Sequence, residues 1–314
     1  MSPVHVIINR KARRLADDGA LRGAIADAAR RGATVHETRT LAELDEAARA
    51  IAADGARAVV LAGGDGTHMA GVTALWRAMG DAMPDIALAP GGTVCTVARN
   101  WGMHGDARRW AERIVGAAID GGPTTTRPTL RVRDDEGADR IAFTFGAGLV
   151  SSFFDAYYAA PDPGNATAAW IVAKIFGGVF VGSPLARRVL SPMPARLDID
   201  GVTQPPRAWS LVAASVVRDL GIGMRLTYRA GERADRIHAV ASALGPRQLG
   251  PQMPRVLAGR PLTGAHHVDA LVEELRLRFG ESDTPARATY ILDGDRFSAA
   301  DVRVNAGPTI RVLD

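Results

Sequence analysis

The sequence predicts two domains, an N-terminal doubly wound α/β domain and a C-terminal β-rich domain of β-sandwich type. Strand-like and helix-like segments alternate over about the first 120 residues, which is typical of right-handed crossovers between parallel strands. A glycine-rich turn at residues 63–67 follows one of these strands. After Gly121-Gly122-Pro123, short apolar runs separated by turn residues dominate, which indicates an antiparallel region. We therefore predict domains at residues 1–122 and 123–295, with residues 296–314 as strands able to return to the first domain.

The elements of the first domain follow from periodicity and from start and stop signals. Thr40 followed by Glu43 forms a capping box, and Gly32 and Gly55 are typical of helix ends. The predicted order is strand 4–8, helix 21–31, strand 34–36, helix 40–53, strand 58–61, a helix up to 79, strand 86–89 and a helix from near Thr93. Ligands of such sheets bind at the carboxyl ends of the strands. The glycine turn lies at one of these ends.

In the second domain, turn residues separate short apolar runs. The turn Asp134-Asp135-Glu136-Gly137 separates strands 130–133 and 141–145, and Asp200-Gly201 follows strand 197–199. Further strands are predicted at 211–217, 289–292, 302–304 and 310–313. Apolar residues at helical spacing predict helices at 151–160, 168–180 and 268–279.

Composition restricts the class of protein. The chain has 314 residues, of which 47% are hydrophobic and 23% charged, and Cys95 is its only cysteine. These values favour a soluble protein with a large core, in a reducing compartment. The apolar stretch 168–181 is too short to span a bilayer, and the first residues lack the features of a secretory signal. We therefore expect a cytoplasmic protein. Its net charge of +4 is compatible with peripheral contact to the anionic inner face of the membrane.

Lysine is scarce, and this excludes two kinase classes. Lys11 and Lys174 are the only lysines. Neither follows a glycine-rich loop directly before Ser or Thr, as a P-loop requires, and the motifs of protein kinases are missing.

The glycine turn itself has the chemistry of a phosphate site. Glycines allow backbone N–H groups to converge on an anion, and the N-terminus of the following helix adds partial positive charge. The turn consists of Gly63, Gly64, Asp65, Gly66 and Thr67. The alternative interpretation is a tight strand-to-helix turn without a ligand.

Four motifs, in this order, resemble the diacylglycerol kinase catalytic family, which includes bacterial lipid kinases and sphingosine kinases and is distantly related to NAD kinases. They are Asn9-Arg10-Lys11-Ala12, the turn at 63–67, Pro90-Gly91-Gly92-Thr93 with Ala98-Arg99, and Asp293-Gly294-Asp295. The resemblance implies an NAD kinase/diacylglycerol kinase-like fold with ATP and Mg²⁺ bound between the two domains. It implies nucleotide-binding roles for Asn9, Thr40, Gly63, Gly64, Asp65, Gly66, Thr67, Gly92 and Thr93. The capping role of Thr40 explains that residue equally well.

The same resemblance implies the catalytic residues. Asp65 would position the magnesium-bound phosphates. Asp295 occupies the position of a family glutamate proposed as proton acceptor, and Asp293 would hold a magnesium-bound water or orient its neighbour. A carboxylate in that role must reach the acceptor oxygen, because phosphoryl transfer depends on positioning. From the residues alone, a plain hairpin turn is the favoured interpretation of Asp293-Gly294-Asp295, and the resemblance is what favours a catalytic role.

Two departures from the family pattern bear on substrate and metal. Cys95-Thr96 stand where the family has asparagine and aspartate, which leaves it open whether activity is lost or redirected. Residues 229–235 replace an acidic turn, so that the structural magnesium site of some relatives is not expected here, and we assign no metal ligands.

The leading hypothesis is an ATP- and Mg²⁺-dependent kinase, an enzyme that transfers the γ-phosphoryl group to a diacylglycerol-like lipid alcohol. The alternatives are a catalytically degenerate nucleotide-binding protein and a kinase of a soluble alcohol such as NAD. We expect a lipid partner, contact with anionic membrane and no nucleic acid, and leave a homodimer open. The apolar side chains Trp170, Ile171, Phe176 and Phe180 are either core residues or an acyl-chain surface.

Overall fold

The computed structural model describes residues 3–17, 19–161, 164–179, 182–281 and 284–314. The chain forms two compact units. The first comprises Met1–Thr129 and Pro308–Asp314, and the second comprises Leu130–Gly307. Within the described ranges, no helix has the length and apolar character that crossing a membrane requires. Phe180 lies outside these ranges.

A six-stranded sheet forms the centre of the first unit. Its strands, numbered along the chain, are β1 (Val4–Asn9), β2 (Ala33–Thr38), β3 (Ala58–Gly63), β4 (Asp85–Pro90), β5 (Thr124–Arg127) and β20 (Ile310–Leu313). Their order is β2-β1-β3-β4-β20-β5. β1 to β4 and β20 are parallel, and β5 is antiparallel to β20. The predicted α/β domain with a parallel sheet is confirmed.

Helices connect the parallel strands and cover the sheet. They are α1 (Arg13–Asp17), α2 (Gly19–Ala29), α3 (Leu41–Asp54), α4 (Asp65–Met79), α5 (Thr96–Asn100) and α6 (Ala107–Asp120). α2 packs on α6, and α3 packs on α4. All residues of β3 and β4 are buried, because helices on both faces exclude water from central parallel strands.

The start of α3 confirms the capping prediction. The Thr40 hydroxyl accepts a hydrogen bond from the Glu43 N–H at 3.2 Å. The Glu43 carboxylate in turn accepts from the N–H of Arg39, one residue before the cap. The helix ends at Gly55 with φ of 65°, a left-handed conformation that favours glycine.

The second unit contains two antiparallel sheets. Its strands are β6 (Leu130–Asp134), β7 (Asp139–Ala142), β8 (Thr144–Gly148), β9 (Met193–Ile199), β10 (Val202–Thr203), β11 (Ala208–Trp209), β12 (Leu211–Ser215), β13 (Ile237–Ser242), β14 (His267–Val272), β15 (Glu274–Glu281), β16 (Thr284–Pro285), β17 (Ala288–Leu292), β18 (Asp295–Ala299) and β19 (Asp301–Ala306). One sheet has the order β10-β9-β15-β19-β6-β7, with β11 beside β9 and β16 beside β15; the other has the order β14-β13-β12-β8-β17-β18. The predicted β-rich C-terminal region is confirmed.

Helices of the second unit pack around one apolar cluster with β12 and β13. They are α7 (Leu149–Tyr158), α8 (Asn165–Gly178), α9 (Pro184–Leu190), α10 (Pro246–Leu249) and α11 (Met253–Leu257). Ile171 is buried in this cluster and Phe176 packs against it, whereas Trp170 is 60% exposed.

The predicted helix at 268–279 is wrong, because β14 and β15 occupy these residues. Leu275, Leu277 and Phe279 are buried and alternate with the more exposed Arg276 and Arg278. This period of two is the pattern of a strand with one buried face, and the helical interpretation gave too little weight to it.

The division between the units lies at 129/130 and 307/308, whereas the sequence analysis placed it at 122/123 and 295/296. β5 belongs with the first sheet because it pairs with β20. β18 and β19 belong with the second unit because they pair with β17 and with β6 and β15.

Candidate active site

The glycine turn lies at the switch point of the doubly wound sheet. β1 lies between β2 and β3, so the connections after β1 and β3 lead to opposite faces. Ligands of such sheets bind outside the carboxyl ends of the strands at this point. Asn9 ends β1, Gly63 ends β3, and α4 begins at Asp65. The first and second sequence motifs therefore lie at the expected position.

Two glycine pairs, at the ends of β3 and β4, bring their backbones into contact. The N–H groups of Gly91 and Gly92 donate to the Gly63 carbonyl at 2.7 and 3.2 Å. A Cβ atom on Gly92 would lie 2.5 Å from the Gly64 Cα, and a Cβ on Gly91 would lie 2.9 Å from the Gly63 Cα. Only glycine permits this approach, and it leaves main-chain atoms as the surface of the turn.

Asn9 and Thr67 join the first two motifs. The Asn9 side-chain amide donates to the Thr67 hydroxyl at 2.8 Å, and its carbonyl oxygen accepts from the Lys11 N–H at 2.9 Å. A Cβ on Gly63 would lie 2.4 Å from the Thr67 side chain, so Thr67 packs directly over that glycine. The structure thus brings together Asn9, Gly63 and Thr67.

Asp65 has a structural partner that the sequence analysis missed. Its two carboxylate oxygens accept hydrogen bonds from the N–H groups of Thr96 and Val97, at 2.8 and 2.9 Å. These N–H groups belong to the first turn of α5, which has no intrahelical partner for them. Asp65 therefore links the start of α4 to the start of α5, the segment of the third motif. The sequence gave no signal of this contact, because Asp65 is distant in sequence from α5 and does not occupy a cap position of that helix.

Burial makes the Cys95 thiol inert. Its Sγ donates to the Gly92 carbonyl at 3.3 Å. Burial raises the pKa of Cys95 to about 11, and the negative charge of Asp65 acts in the same direction. The residue has φ of 51°, a left-handed conformation that asparagine adopts more readily than cysteine. The asparagine of the family pattern would therefore suit this backbone, and Cys95 fills the position as a buried neutral group.

Thr93 and Thr40 differ in their relation to the turn. Thr93 directly follows Gly92 and is half-buried. Thr40 is exposed, and its hydroxyl caps α3. Among the hydrogen bonds of the described residues, none joins Thr40 to the glycine turn.

In the second unit, Asp293 and Gly294 form the two-residue turn of a hairpin. Leu292 of β17 pairs with Asp295 of β18, and the turn residues have φ of 47° and 89°. Positive φ at both positions is typical of a type I′ turn, for which Asp-Gly is a preferred sequence. Asp295 is exposed at the start of β18.

Asp293 is buried and bonded to the neighbouring strand. It is 4% exposed. Its carboxylate accepts hydrogen bonds from the N–H groups of Phe143 and Thr144, both at 2.9 Å, and from the Thr144 hydroxyl at 3.0 Å. These contacts fix the hairpin to the start of β8.

Helix α7 packs beside this hairpin and contributes residues that the sequence analysis did not single out. The Tyr158 hydroxyl donates to the Gly294 carbonyl at 2.9 Å. Arg296 forms an ion pair with Asp155 at 3.2 Å. The rings of Phe154 and Tyr158 are in contact in a tilted arrangement, with centroids 5.8 Å apart. The aromatic spacing of Phe154 and Tyr158, four residues apart on a helix, was the available signal.

The donor set of the glycine turn fits a polyphosphate. The N–H groups of the first turn of α4 lie at a helix N-terminus, and the residues from Gly64 to Thr67 are all half-buried and so reach solvent. Among the described residues, no three acidic, histidine or cysteine side chains converge as a metal-binding group. Kinase Mg²⁺ is held largely by phosphates and water with one or two carboxylates. Each Asp65 oxygen accepts one N–H and keeps a further lone pair for that role.

A family model matches the first part of the chain. The profile of the diacylglycerol kinase catalytic domain matches residues 3–122. The predicted resemblance is confirmed there. The matched residues include β1 to β4 and three of the four motifs. No curated protein matches the chain.

Solved structures with the same fold come from two classes of kinase. A diacylglycerol kinase from Bacillus anthracis str. Sterne has a TM-score of 0.62 at 13% identity, covering 99% of this chain and 96% of its own. A second structure from that organism, also described as of the diacylglycerol kinase class, has a TM-score of 0.68 at 14% identity, covering 99% and 97%. An NAD kinase from Archaeoglobus fulgidus in complex with ATP has a TM-score of 0.50 at 12% identity, covering 99% and 93%. At these identities the similarity shows the fold.

Proposed function

We propose that the protein is an ATP- and Mg²⁺-dependent lipid kinase, an enzyme that transfers a γ-phosphoryl group to the hydroxyl of a diacylglycerol-like alcohol. The observation that carries the proposal is the glycine turn at the switch point, within the region that matches the diacylglycerol kinase catalytic domain. That match supports the kinase class, and the lipid acceptor is the finer part of the proposal.

Phosphoryl transfer requires mainly positioning and neutralisation of charge. ATP supplies the phosphoryl group, and the main-chain N–H groups at Gly64, Gly66 and Thr67 are the donors offered to its phosphates. Asn9 holds Thr67 in place through its amide. Asp65 fixes the third motif by its bonds to α5 and supplies the negative charge for magnesium.

In this proposal Asp295 takes the proton of the acceptor hydroxyl, since it is the exposed carboxylate of the last motif. Asp293 holds the hairpin that carries Asp295 in place, because its carboxylate accepts hydrogen bonds from the N–H groups of Phe143 and Thr144. Of the two roles predicted for Asp293, the proposal keeps the orienting one.

The test is transfer of labelled γ-phosphate from Mg-ATP to lipid alcohols in neutral detergent micelles, with NAD as the soluble comparison. Asp65→Asn and Asp295→Asn are compared with the wild-type protein. Asp45→Asn, the same change at an exposed position on α3, is the matched control. We expect Asp295→Asn to lose about 100-fold or more in kcat, as removal of a general base does. Asp65→Asn should also lose activity, and Asp45→Asn should keep it.

Equal ATP consumption by the wild-type protein and both site variants would contradict the mechanism. Phosphorylation of NAD in preference to every lipid alcohol would contradict the acceptor. Tight ATP binding without transfer to any hydroxyl would favour a non-catalytic nucleotide-binding protein.

A further inference from the structure

A row of polar side chains crosses one end of the sheet β14-β13-β12-β8-β17-β18. Ser215 of β12 lies opposite Thr144 of β8 on one side and opposite His238 of β13 on the other. Asp293, at the end of β17, donates its N–H to the Thr144 carbonyl at 3.2 Å. Residues that lie opposite each other in a sheet have their side chains on one face. The row therefore leads from the hairpin of the last motif to β13.

Three members of this row are buried although their side chains are polar. They are Ser215, His238 and Asp293. A buried polar group lowers the stability of the folded state unless it is hydrogen-bonded. The hydrogen bonds of these side chains form a continuous path, which begins at the hairpin.

The first step of the path is the main chain of Phe143, the residue between β7 of one sheet and β8 of the other. Its N–H donates to the Asp293 carboxylate at 2.9 Å. Its carbonyl accepts from the Ser215 hydroxyl and from the Val216 N–H, both at 3.1 Å. Phe143 thus connects the hairpin turn to the end of β12, and a shift of that end would move the N–H that holds Asp293.

Beyond β12 the path enters a long connection. Residues 216–236, all of which the structure describes, join β12 to β13 without a helix or a strand. Connections of this length within a compact domain usually have a functional role. The Val217 N–H donates to the Ser215 hydroxyl at 2.9 Å, and the Val217 carbonyl accepts from the hydroxyl of the buried Thr227 at 2.8 Å. The start and the middle of the connection are therefore bonded together beside Ser215.

Apolar side chains hold the middle of the same connection. Ile222, Met224 and Leu226 pack against the apolar cluster of the helices, β12 and β13. Thr227 directly follows this apolar segment. The cluster therefore gives the Thr227 hydroxyl a fixed position from which it donates to Val217.

The path ends at a buried histidine and its aspartate. The Arg229 N–H donates to Nδ1 of His238 at 3.3 Å. Because Nδ1 accepts, the ring proton lies on Nε2, which donates to the Asp269 carboxylate at 2.9 Å. The Tyr228 hydroxyl donates to the same carboxylate at 3.2 Å. Residues 227–229 are therefore held to β13 and β14.

We infer that Thr227, His238 and Asp269 are positioning residues for the proposed phosphoryl transfer, which fix the end of β12 and thereby the hairpin that carries Asp295. The inference rests on the proposed function, in which Asp295 takes the proton of the acceptor hydroxyl. The three residues act through the main chain of Phe143. Their effect on rate follows from the sensitivity of catalysis to position, since a misplacement of about 1 Å can cost about 100-fold.

Thr227 offers a matched pair of substitutions. Thr227→Val removes the hydroxyl at nearly constant volume, whereas Thr227→Ser keeps it. In the transfer assay with lipid alcohols, Thr227→Val should lower kcat about 10-fold, a partial misplacement of the hairpin. The KM for ATP should stay the same, because the donors offered to its phosphates lie in the first unit. Thr227→Ser should keep the wild-type kcat. His238→Phe, which keeps a ring but neither nitrogen, should lower kcat as Thr227→Val does.

Ser215 and Ser210 separate positioning from stability. Both are buried, and both donate to main-chain carbonyls, Ser215 to Phe143 and Ser210 to Leu244 beside the other end of β12. Ser215→Ala and Ser210→Ala should therefore lower the midpoint of urea unfolding to a similar extent. Only Ser215→Ala should lower kcat.

Hydrogen–deuterium exchange gives a readout that does not require catalysis. The N–H groups of Phe143 and Thr144 donate to the carboxylate of the hairpin turn, so loosening of this contact should speed their exchange. We expect faster exchange at these two amides in Thr227→Val and Ser215→Ala. Thr227→Ser and Ser210→Ala should exchange like the wild-type protein.

Two results would overturn the inference. One is wild-type exchange at Phe143 and Thr144 in Thr227→Val. The other is an equal loss of kcat in Ser210→Ala and Ser215→Ala, because the loss would then follow stability alone. If the wild-type protein transfers phosphate to no hydroxyl, the proposed function fails, and the exchange experiment still decides whether this path holds the hairpin.

Discussion

Asp293 and Asp295 are two positions apart in one hairpin, and their surroundings differ. Asp293 is buried and accepts three hydrogen bonds from Phe143 and Thr144. Asp295 is exposed. The sequence shows two equivalent carboxylates, and only the pairing of β17 with β8 separates their roles.

The two residues are therefore expected to respond differently to the same substitution. Asp293→Asn replaces an acceptor oxygen with an amide group facing an N–H, and should lower the free energy of unfolding by about 1–3 kcal/mol. Asparagine tolerates the left-handed conformation, so the backbone adds little to this loss. Asp295→Asn should lower stability by less than Asp293→Asn does, because Asp295 is exposed. Urea unfolding measures both, and a larger loss for Asp295→Asn would contradict the assignment.

At the scale of elements, the contact between the turns after β3 and β4 determines the shape of the site. The glycine motifs were recognisable in the sequence as turns after strands. Their contact was not, because it depends on β3 and β4 being neighbours in the sheet. The bond from Asp65 to α5 is unpredictable for the same reason.

Two glycine substitutions test this contact. Gly92→Ala places a Cβ 2.5 Å from the Gly64 Cα, and backbone must move to relieve it. We expect a loss of about 1–3 kcal/mol in unfolding free energy together with weaker ATP binding. Gly23→Ala, within α2 and with no atom within 4 Å of the added Cβ, should stabilise by about 0.5–1 kcal/mol. Calorimetry of unfolding and of ATP binding checks both, and a neutral Gly92→Ala would show that the turns do not need this approach.

The spacing of apolar residues and the positions of turn residues predicted most helices and strands. The alternation of strands and helices, the Thr40 cap and the hairpin turns all appear in the structure. The strands β5 and β13 and the short helices α9 to α11 were not predicted. The segment 268–279 was assigned wrongly, because charged residues alternate with apolar ones along β15. Short amphipathic segments of this kind fit either period until their pairing partners are known.

At the scale of the whole molecule, the chain returns to its first unit at the end. β20 pairs with β4 and β5, so the last residues complete a sheet that the first residues begin. Local sequence predicts that 310–313 is a strand, but long-range pairing determines which sheet it joins.

The central claim is that the main chain of the glycine turn binds the phosphates of ATP. Hydrogen–deuterium exchange of the backbone amides, with and without Mg-ATP, tests it most directly. The account predicts slower exchange in residues 63–67 and 91–97 when Mg-ATP is bound, with the edge strand β2 unchanged. Unchanged exchange in both glycine segments under conditions where ATP binds would contradict it.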